Sequence, residues 1–286
     1  MANIRLIRRR IRGIQSTAKI TRAMEMIAAS KMRQAQERGL AGRPYSEKIF
    51  QVIADLAALP QAGGEVAHPL LQRRPVTKVA IVYITPDRGL CGGLVANINR
   101  QAASFILEQK VPISVIAVGR KGLDFMRRCQ QHVIAEFTGL GDRPSLLDTL
   151  PISHIIIDDF TSGAVDEVYL AYSRLITTMV QKPDLVKIIP VEPAAIPAIE
   201  NVEYIYEPGP AAVLEGLLRR FVEMQVYHAV LESIASEQSA RMVAMHNATE
   251  NAKELIGDLT LMYNKARQEM ITREIMDITG GTVALA

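Results

Sequence analysis

Apolar positions along the first forty residues recur at helical intervals. Ile4, Ile7, Ile11, Ile14, Ala18 and Thr21 follow alternating steps of three and four, and Met24, Ala28, Met32 and Ala35 continue the stripe with a small phase shift. This predicts a long amphipathic helix with a coiled-coil-like seam. The last arm is more regular. Leu231, Ala235, Gln238, Met242, Met245, Thr249, Ala252, Ile256, Leu259, Tyr263, Ala266 and Met270 alternate four and three without a slip, which predicts a coiled coil with left-handed supercoiling. If wholly helical, the 76 residues from Ala211 would extend roughly 110 Å at about 1.5 Å per residue. The seam of the last arm is small, with alanine, threonine and methionine rather than stacked leucines, so two helices could approach closely as a thin rod. The expected arrangement is antiparallel pairing of the two arms within the chain, with the C-terminal arm projecting beyond its partner.

The middle has a different rhythm. All fourteen prolines lie between Pro44 and Pro210. "VTKVAIVYIT" (76–85) reads as a buried strand, "LVANINRQAASFILEQ" as a helix, "PISVIAV" as a strand and "GLDFMRRCQQH" as a helix. "ISHIIIDDF" (152–160) then reads as a strand, 164–181 as a helix and "LVKIIPV" as a final strand. Alternation at this spacing implies a three-layer parallel sheet with right-handed crossovers. The expected fold class is therefore α/β: a long antiparallel coiled coil of N- and C-terminal helices plus a central Rossmann-like domain. Its segments are an N-terminal helix (1–60), a central domain (75–207) and a C-terminal helix (208–286).

Charge adds an asymmetry that the net value of +3 conceals. Residues 1–38 hold ten Lys/Arg against Glu25 and Glu37, whereas residues 211–286 hold seven against ten acids. Beside the N-terminal seam runs a second stripe of Arg5, Arg8, Arg12, Lys19, Arg22 and Arg33. It is either a solvated face or a surface for an acidic partner, nucleic acid or a membrane. The scarcity of acids beside it favours a partner, because a helix that is merely solvated mixes both signs. A basic coiled-coil nucleic-acid binder is one candidate, yet residues 1–38 contain no Phe, Tyr or Trp on which bases could stack. The Arg-rich start could also be a targeting segment, but its apolar period runs on past residue 30 without a cleavage-like break. No apolar run approaches the ~20 residues needed to cross a bilayer.

Candidate chemistry is thin. "TPDRGLCGG" (85–93) follows the first strand, as a nucleotide loop would, but matches neither GxGxxG nor GxxxxGK[ST]. Its glycines read better as tight-turn residues. Cys91 has no base nearby in sequence and reads as structural. Asp158 and Asp159, expected at a strand end, have no metal or base motif beside them. Cys91 and Cys129 form no CxxC, and no histidine cluster suggests zinc.

Four stretches in order carry a resemblance: "KITRAMEMIAASKM" (19–32), "DRGLCGGL" (87–94), "SEQSARMVAMHNATENA" (236–252) and "YNKARQEMITREIMDITGG" (263–281). Together they resemble the gamma subunit of the F-type ATP synthase, the central rotor shaft, over nearly the whole chain. No inserted cysteine pair of the chloroplast regulatory type is visible, so the resemblance is to the bacterial kind. It implies a shaft turning inside the ring of alpha and beta subunits, with no catalytic residue, cofactor, metal or nucleic acid of its own. It further implies contact with the epsilon subunit and the ring of c subunits, and a peripheral position on the cytoplasmic face of the bacterial plasma membrane. Residue by residue, the family's beta-subunit contacts fall on Arg8, Arg9, Arg12, Arg22, Arg33 and Met24. Glu237, Gln238 and Arg241 match a polar cluster meeting a beta-subunit loop, and Arg267, Gln268 and Thr272 match a second cluster nearer the tip. Tyr204 and Glu207 match the epsilon and c-ring contact. Met24 fits seam packing equally well by its spacing.

Overall fold

The computed structural model describes residues 4–58, 68–192, 206–207 and 209–285. A single helix, α1, runs from Ile4 to Ala58. The α/β segment then follows as β1 (Val79–Ile84), α2 (Leu94–Glu108), β2 (Ile113–Val118), α3 (Arg120–Arg128), β3 (His132–Phe137), α4 (Leu146–Thr161), β4 (Glu167–Leu175) and β5 (Gln181–Ile189). The last element, α5, runs from Pro210 to Leu285. Two compact units are distinguished, Met1–Ala28 with Arg241–Ala286, and Ala29–Ala240, so the division cuts through both long helices.

In the larger unit the strand order is β3-β2-β1-β4-β5, with β5 antiparallel to β4 and every other pairing parallel. β1 is central and all six of its residues are buried. A strand covered on both faces reads as a continuous apolar run, which is what "VAIVYI" is. One face, through Val79, Ile81 and Tyr83, packs on Ile98, Ala102 and Phe105 of α2 and Met126 of α3. The other, through Ala80, Val82 and Ile84, joins Ile152, Ile156 and Phe160 of α4 and residues of α1 and α5 such as Ile53, Leu218 and Val222. Three layers result.

The expected order of elements is corrected in three places. Residues 152–160 are not a strand but lie in α4. Their apolar run mimics a buried strand, yet the buried set Thr149, Ile152, Ser153, Ile156, Ile157 and Phe160 has helical spacing. A capping signal precedes it: the Ser145 N–H and hydroxyl both donate to the Asp148 carboxylate, at 2.7 and 2.8 Å. Asp158 and Asp159 accordingly sit in the last turn of α4, not at a strand end. Residues 164–181 are not a helix but contain β4. Val165, Val168, Tyr172, Leu175 and Met179 mimic a helical stripe, but pairing of Glu167–Ala171 with Val79–Tyr83 decides the outcome. Both faces of β4 are apolar because Val168 and Leu170 serve one core cluster while Tyr169 and Ala171 serve the other. Finally, α3 ends at Arg128, and His132 opens β3 rather than closing a helix.

Two backbone positions allow predictions. Gly119 has φ +91°, and a Cβ there would lie 1.9 Å from the Thr85 carbonyl oxygen. Gly119→Ala is therefore expected to destabilise the fold by at least about 2 kcal/mol, whereas Gly139→Ala, at φ +76° with open space around it, should cost about 1 kcal/mol. Thermal unfolding of the two variants checks the order. At the entry to β1, Asp166 accepts from the Thr77 hydroxyl (2.6 Å) and N–H (2.7 Å) and from the Lys78 N–H (3.0 Å). The Thr77 hydroxyl and then its N–H hold the Asp166 carboxyl below its ordinary range. A depressed carboxyl stabilises above the unfolded-state pKa and loses that contribution as pH falls through the folded value. Asp166→Asn should thus flatten the decline in stability below about pH 4, measured by denaturant titration across pH.

Candidate functional site

In the smaller unit the expected seam is found as far as Ala266 of α5, while its last expected member, Met270, is exposed. Ile7, Thr21 and Ala28 of α1 are buried, with Ile4, Ile11, Ile14, Ala18 and Met24 half-buried. Met245, Thr249 and Ala252 of α5 are buried, and Ile256, Leu259, Tyr263 and Ala266 half-buried. Thr21 Oγ1 and Thr249 Oγ1 lie 2.7 Å apart, so the helices meet through hydroxyls. His246 Nδ1 lies 3.1 Å from Glu25 Oε1, and Arg22 donates to the same carboxylate at 3.2 Å. The two cross-ties run in opposite chain directions, which makes this pair antiparallel. Ile4 precedes Thr21 by as many residues as Ala266 follows Thr249, and burial of the α5 seam ends at Ala266. Beyond it α5 has no partner strip among the described residues of α1, and Met270, Ile271, Ile275, Met276 and Ile278 are all exposed.

The predicted contact residues divide by exposure. Arg8, Arg9 and Arg12 are exposed and have no ion-pair partner among the described residues. Arg22 is exposed but engaged by Glu25. Arg267, Gln268 and Thr272 are exposed on the overrunning part of α5, and the Thr272 hydroxyl bonds the Gln268 carbonyl at 2.9 Å. Arg241 is buried to 9% exposure. Within the larger unit, Arg33 is exposed beside an open cleft of about 640 Å³ whose walls include Glu37, Arg174, His228 and Glu232. Glu237 is half-buried. Gln238 is turned inward: it is 2% exposed and its amide donates to Asp142 at 3.1 Å. Glu207 is exposed, and Tyr204 lies outside the described residues.

At the carboxyl ends of the parallel strands, the loop that invited a nucleotide reading is occupied by its own chain. Asp87 Oδ1 accepts from the Arg120 N–H and Oδ2 from the Gly139 N–H, both at 2.9 Å. The first of these donors opens α3, where a phosphate would otherwise find an N–H. Gly92 and Leu90 both have positive φ, as a tight turn demands. Cys91 is buried against Leu94 and Ala240.

Reasoning from spacing missed the Glu25–His246 tie, although one sign was available. Glu25 is the single acid among residues 4–28, and its side chain is only 17% exposed. The Asp142 contact joins residues far apart in sequence and had no local signal.

These features describe a helix pair with a basic flank, joined in sequence to an α/β segment whose 85–93 loop is bonded to its own chain. A family model described as ATP synthase matches residues 3–285. The ATP synthase gamma chain of Dehalococcoides mccartyi strain 195 is 68% identical over 286 residues, covering all of both chains. That of Roseiflexus castenholzii is 52% identical over 290 residues, covering 100% of this chain and 99% of the relative. Among solved structures, a chain of the Euglena gracilis mitochondrial ATP synthase OSCP/F1/c-ring assembly aligns with TM-score 0.68 at 21% identity, covering 99% of this chain and 94% of that one. A chain of the Tetrahymena thermophila mitochondrial central stalk/c-ring structure aligns with TM-score 0.60 at 22% identity, covering 80% and 99%. At those identities the structural likeness speaks to the fold alone. The chain belongs to the ATP synthase gamma chain family.

Thiol chemistry offers a check on the loop. Cys129 is exposed and Cys91 buried, so a maleimide should label Cys129 in the folded protein and reach Cys91 only on denaturation, as read by peptide mass spectrometry. Equal labelling of both would contradict the packing of the 85–93 turn.

Proposed function

We propose that this chain is the central shaft of a rotary ATP synthase, a subunit that couples rotation of a membrane ring to conformational change in the catalytic subunits. The observation that carries this reading is the electrical asymmetry of the helix pair. Over residues 4–28, α1 carries seven basic residues against Glu25, while residues 241–285 of α5 carry five against six acids. Rotating such a pair presents an alternately basic and mixed-charge flank to whatever surrounds it. A rotor biases a neighbour's conformation only through contacts that differ between states, and this flank supplies the difference. Each exposed ion pair is worth about 0–1 kcal/mol, which suits contacts that break and re-form at every step.

On this reading the acidic surfaces are on the beta subunits of an alpha-beta ring, met by Arg8, Arg9, Arg12 and Arg22, and further along by Arg267, Gln268 and Thr272. Met24, half-buried, contributes to the seam and to the same flank; Arg33 and Glu237 of the larger unit, and separately Arg241 of the smaller, are the remaining candidates for beta-subunit contact. The exposed apolar end of α5 calls for an apolar surround, because exposed side chains of this number seldom lie in water without a partner. Contact with the epsilon subunit and the c-ring is assigned to Tyr204 and Glu207, on the match of "EYIYEP" to the family. No described helix is long and apolar enough to cross a membrane, so the chain reaches the membrane's cytoplasmic face through those partners. The family and its relatives lend nothing to the nucleic-acid reading of the basic arm.

The test is reconstitution with the alpha and beta subunits of the same organism, with a bead attached at Cys129. One copy per ring and unidirectional rotation during ATP hydrolysis is the expected result. Reversing Arg8, Arg9 and Arg12 to Glu should leave the ring assembled but reduce rotation rate under load. Failure of the wild-type chain to join the ring, or undiminished loaded rotation in the triple variant, would count against the shaft and the stripe respectively.

A further inference from the structure

Within the larger unit, the loop between β3 and α4 is fixed at both ends. Its start is held by the Asp87 carboxylate on the Gly139 N–H at 2.9 Å, and its end by Ser145 on Asp148 at the head of α4. Gly139 and Gly141, at φ +76° and +74°, give it a shape that other residues resist, and Pro144 is buried. From this rigid loop projects Asp142, whose two carboxylate oxygens face different helices. Oδ2 accepts from Lys31 Nζ of α1 at 2.6 Å, and Oδ1 from the Gln238 amide of α5 at 3.1 Å. Gln238 is buried while the Lys31 and Asp142 side chains are 34% and 41% exposed.

We propose that Asp142 is a coupling clasp: a positioning residue that fastens α1 at Lys31 and α5 at Gln238 to the sheet-borne loop so that these stretches turn with it. The proposal rests on the shaft reading above, and it gives Gln238 an inward role in place of a partner contact. A fold does not need so exposed an ion pair, since each such contact contributes about 0–1 kcal/mol. A device that transmits torque does need it. Two helices in register through small side chains offer shallow ridges and little resistance to sliding along each other, whereas a carboxylate bonded to both from a rigid loop opposes sliding directly. Lys31 supplies charge and Gln238 supplies direction: a primary amide can donate or, turned over, accept.

That property makes the test reciprocal. In the complete complex reconstituted in vesicles, Asp142→Ala and Lys31→Glu should each lower the number of ions pumped per ATP hydrolysed. They should also speed amide hydrogen exchange of residues 138–145 by up to about fivefold, the factor corresponding to about 1 kcal/mol. The double exchange Lys31→Glu with Asp142→Lys restores opposite charges, and Gln238 can turn its carbonyl toward the new ammonium, so both readouts should return toward wild type. The proposal is overturned if the single variants pump at the wild-type ratio, or if the double exchange restores loop protection without restoring that ratio. A wild-type complex that hydrolyses ATP without moving ions would instead overturn the shaft reading, while the exchange measurement would still decide whether the clasp exists.

Discussion

The hydroxyl contact between Thr21 and Thr249, at 2.7 Å, sets the terms for the helix pair. Two threonine hydroxyls can meet directly only where no larger side chain stands between the helices, so this contact requires small neighbours in the seam. Alanine, threonine and methionine surround this contact at Ala18, Met24, Ala28, Met245 and Ala252, and larger apolar residues take over further along at Ile4, Ile7, Ile11, Ile14, Ile256, Leu259 and Tyr263. One hydroxyl donates to the other, and the accepting hydroxyl gives its own proton to its helix, Thr21 to the Ala18 carbonyl or Thr249 to the Met245 carbonyl, so neither is orphaned by the contact. Polar ties add to the seam, of which Glu25 with His246 and Arg22 is the clearest. The outer faces hold the arginines, of which Arg8, Arg9 and Arg12 have no ion-pair partner among the described residues.

The larger unit is governed by a different constraint, the double burial of β1. Because that strand has helices on both sides, its neighbours must supply apolar residues on both of their own faces, and β4 does so. This is also why β4 was illegible. A strand apolar on both faces has no period of two, and its residues fell by coincidence on a period of three and four. The mistake over α4 has the same origin in reverse, since contiguous isoleucines hide the helical spacing of the buried set. By contrast, the long arms were legible almost residue by residue. Every seam position from Ile4 to Ala35 is buried or half-buried, because a helix packed along one side for so many turns has no freedom to change its inner face.

The candidate contact residues were legible only in part, for a related reason. Spacing identifies which side chains face outward from a helix, and Arg8, Arg9, Arg12, Arg267, Gln268 and Thr272 do so. It says nothing of what a distant loop brings to the remaining face. Gln238 lies on the seam by its period and is buried accordingly, and only the folded loop carrying Asp142 reveals what its amide does. Polar residues at seam positions are thus better read as questions about an unseen partner within the chain than as surface contacts.

The position of Asp87 has a wider consequence. An α/β sheet of this kind usually keeps the carboxyl ends of its strands for a ligand, and here a carboxylate of the protein itself holds the N–H groups of that edge. On this sheet the N–H donors that open α3 and follow β3 are already taken, so a phosphate arriving there would have to displace a carboxylate tethered to the same chain.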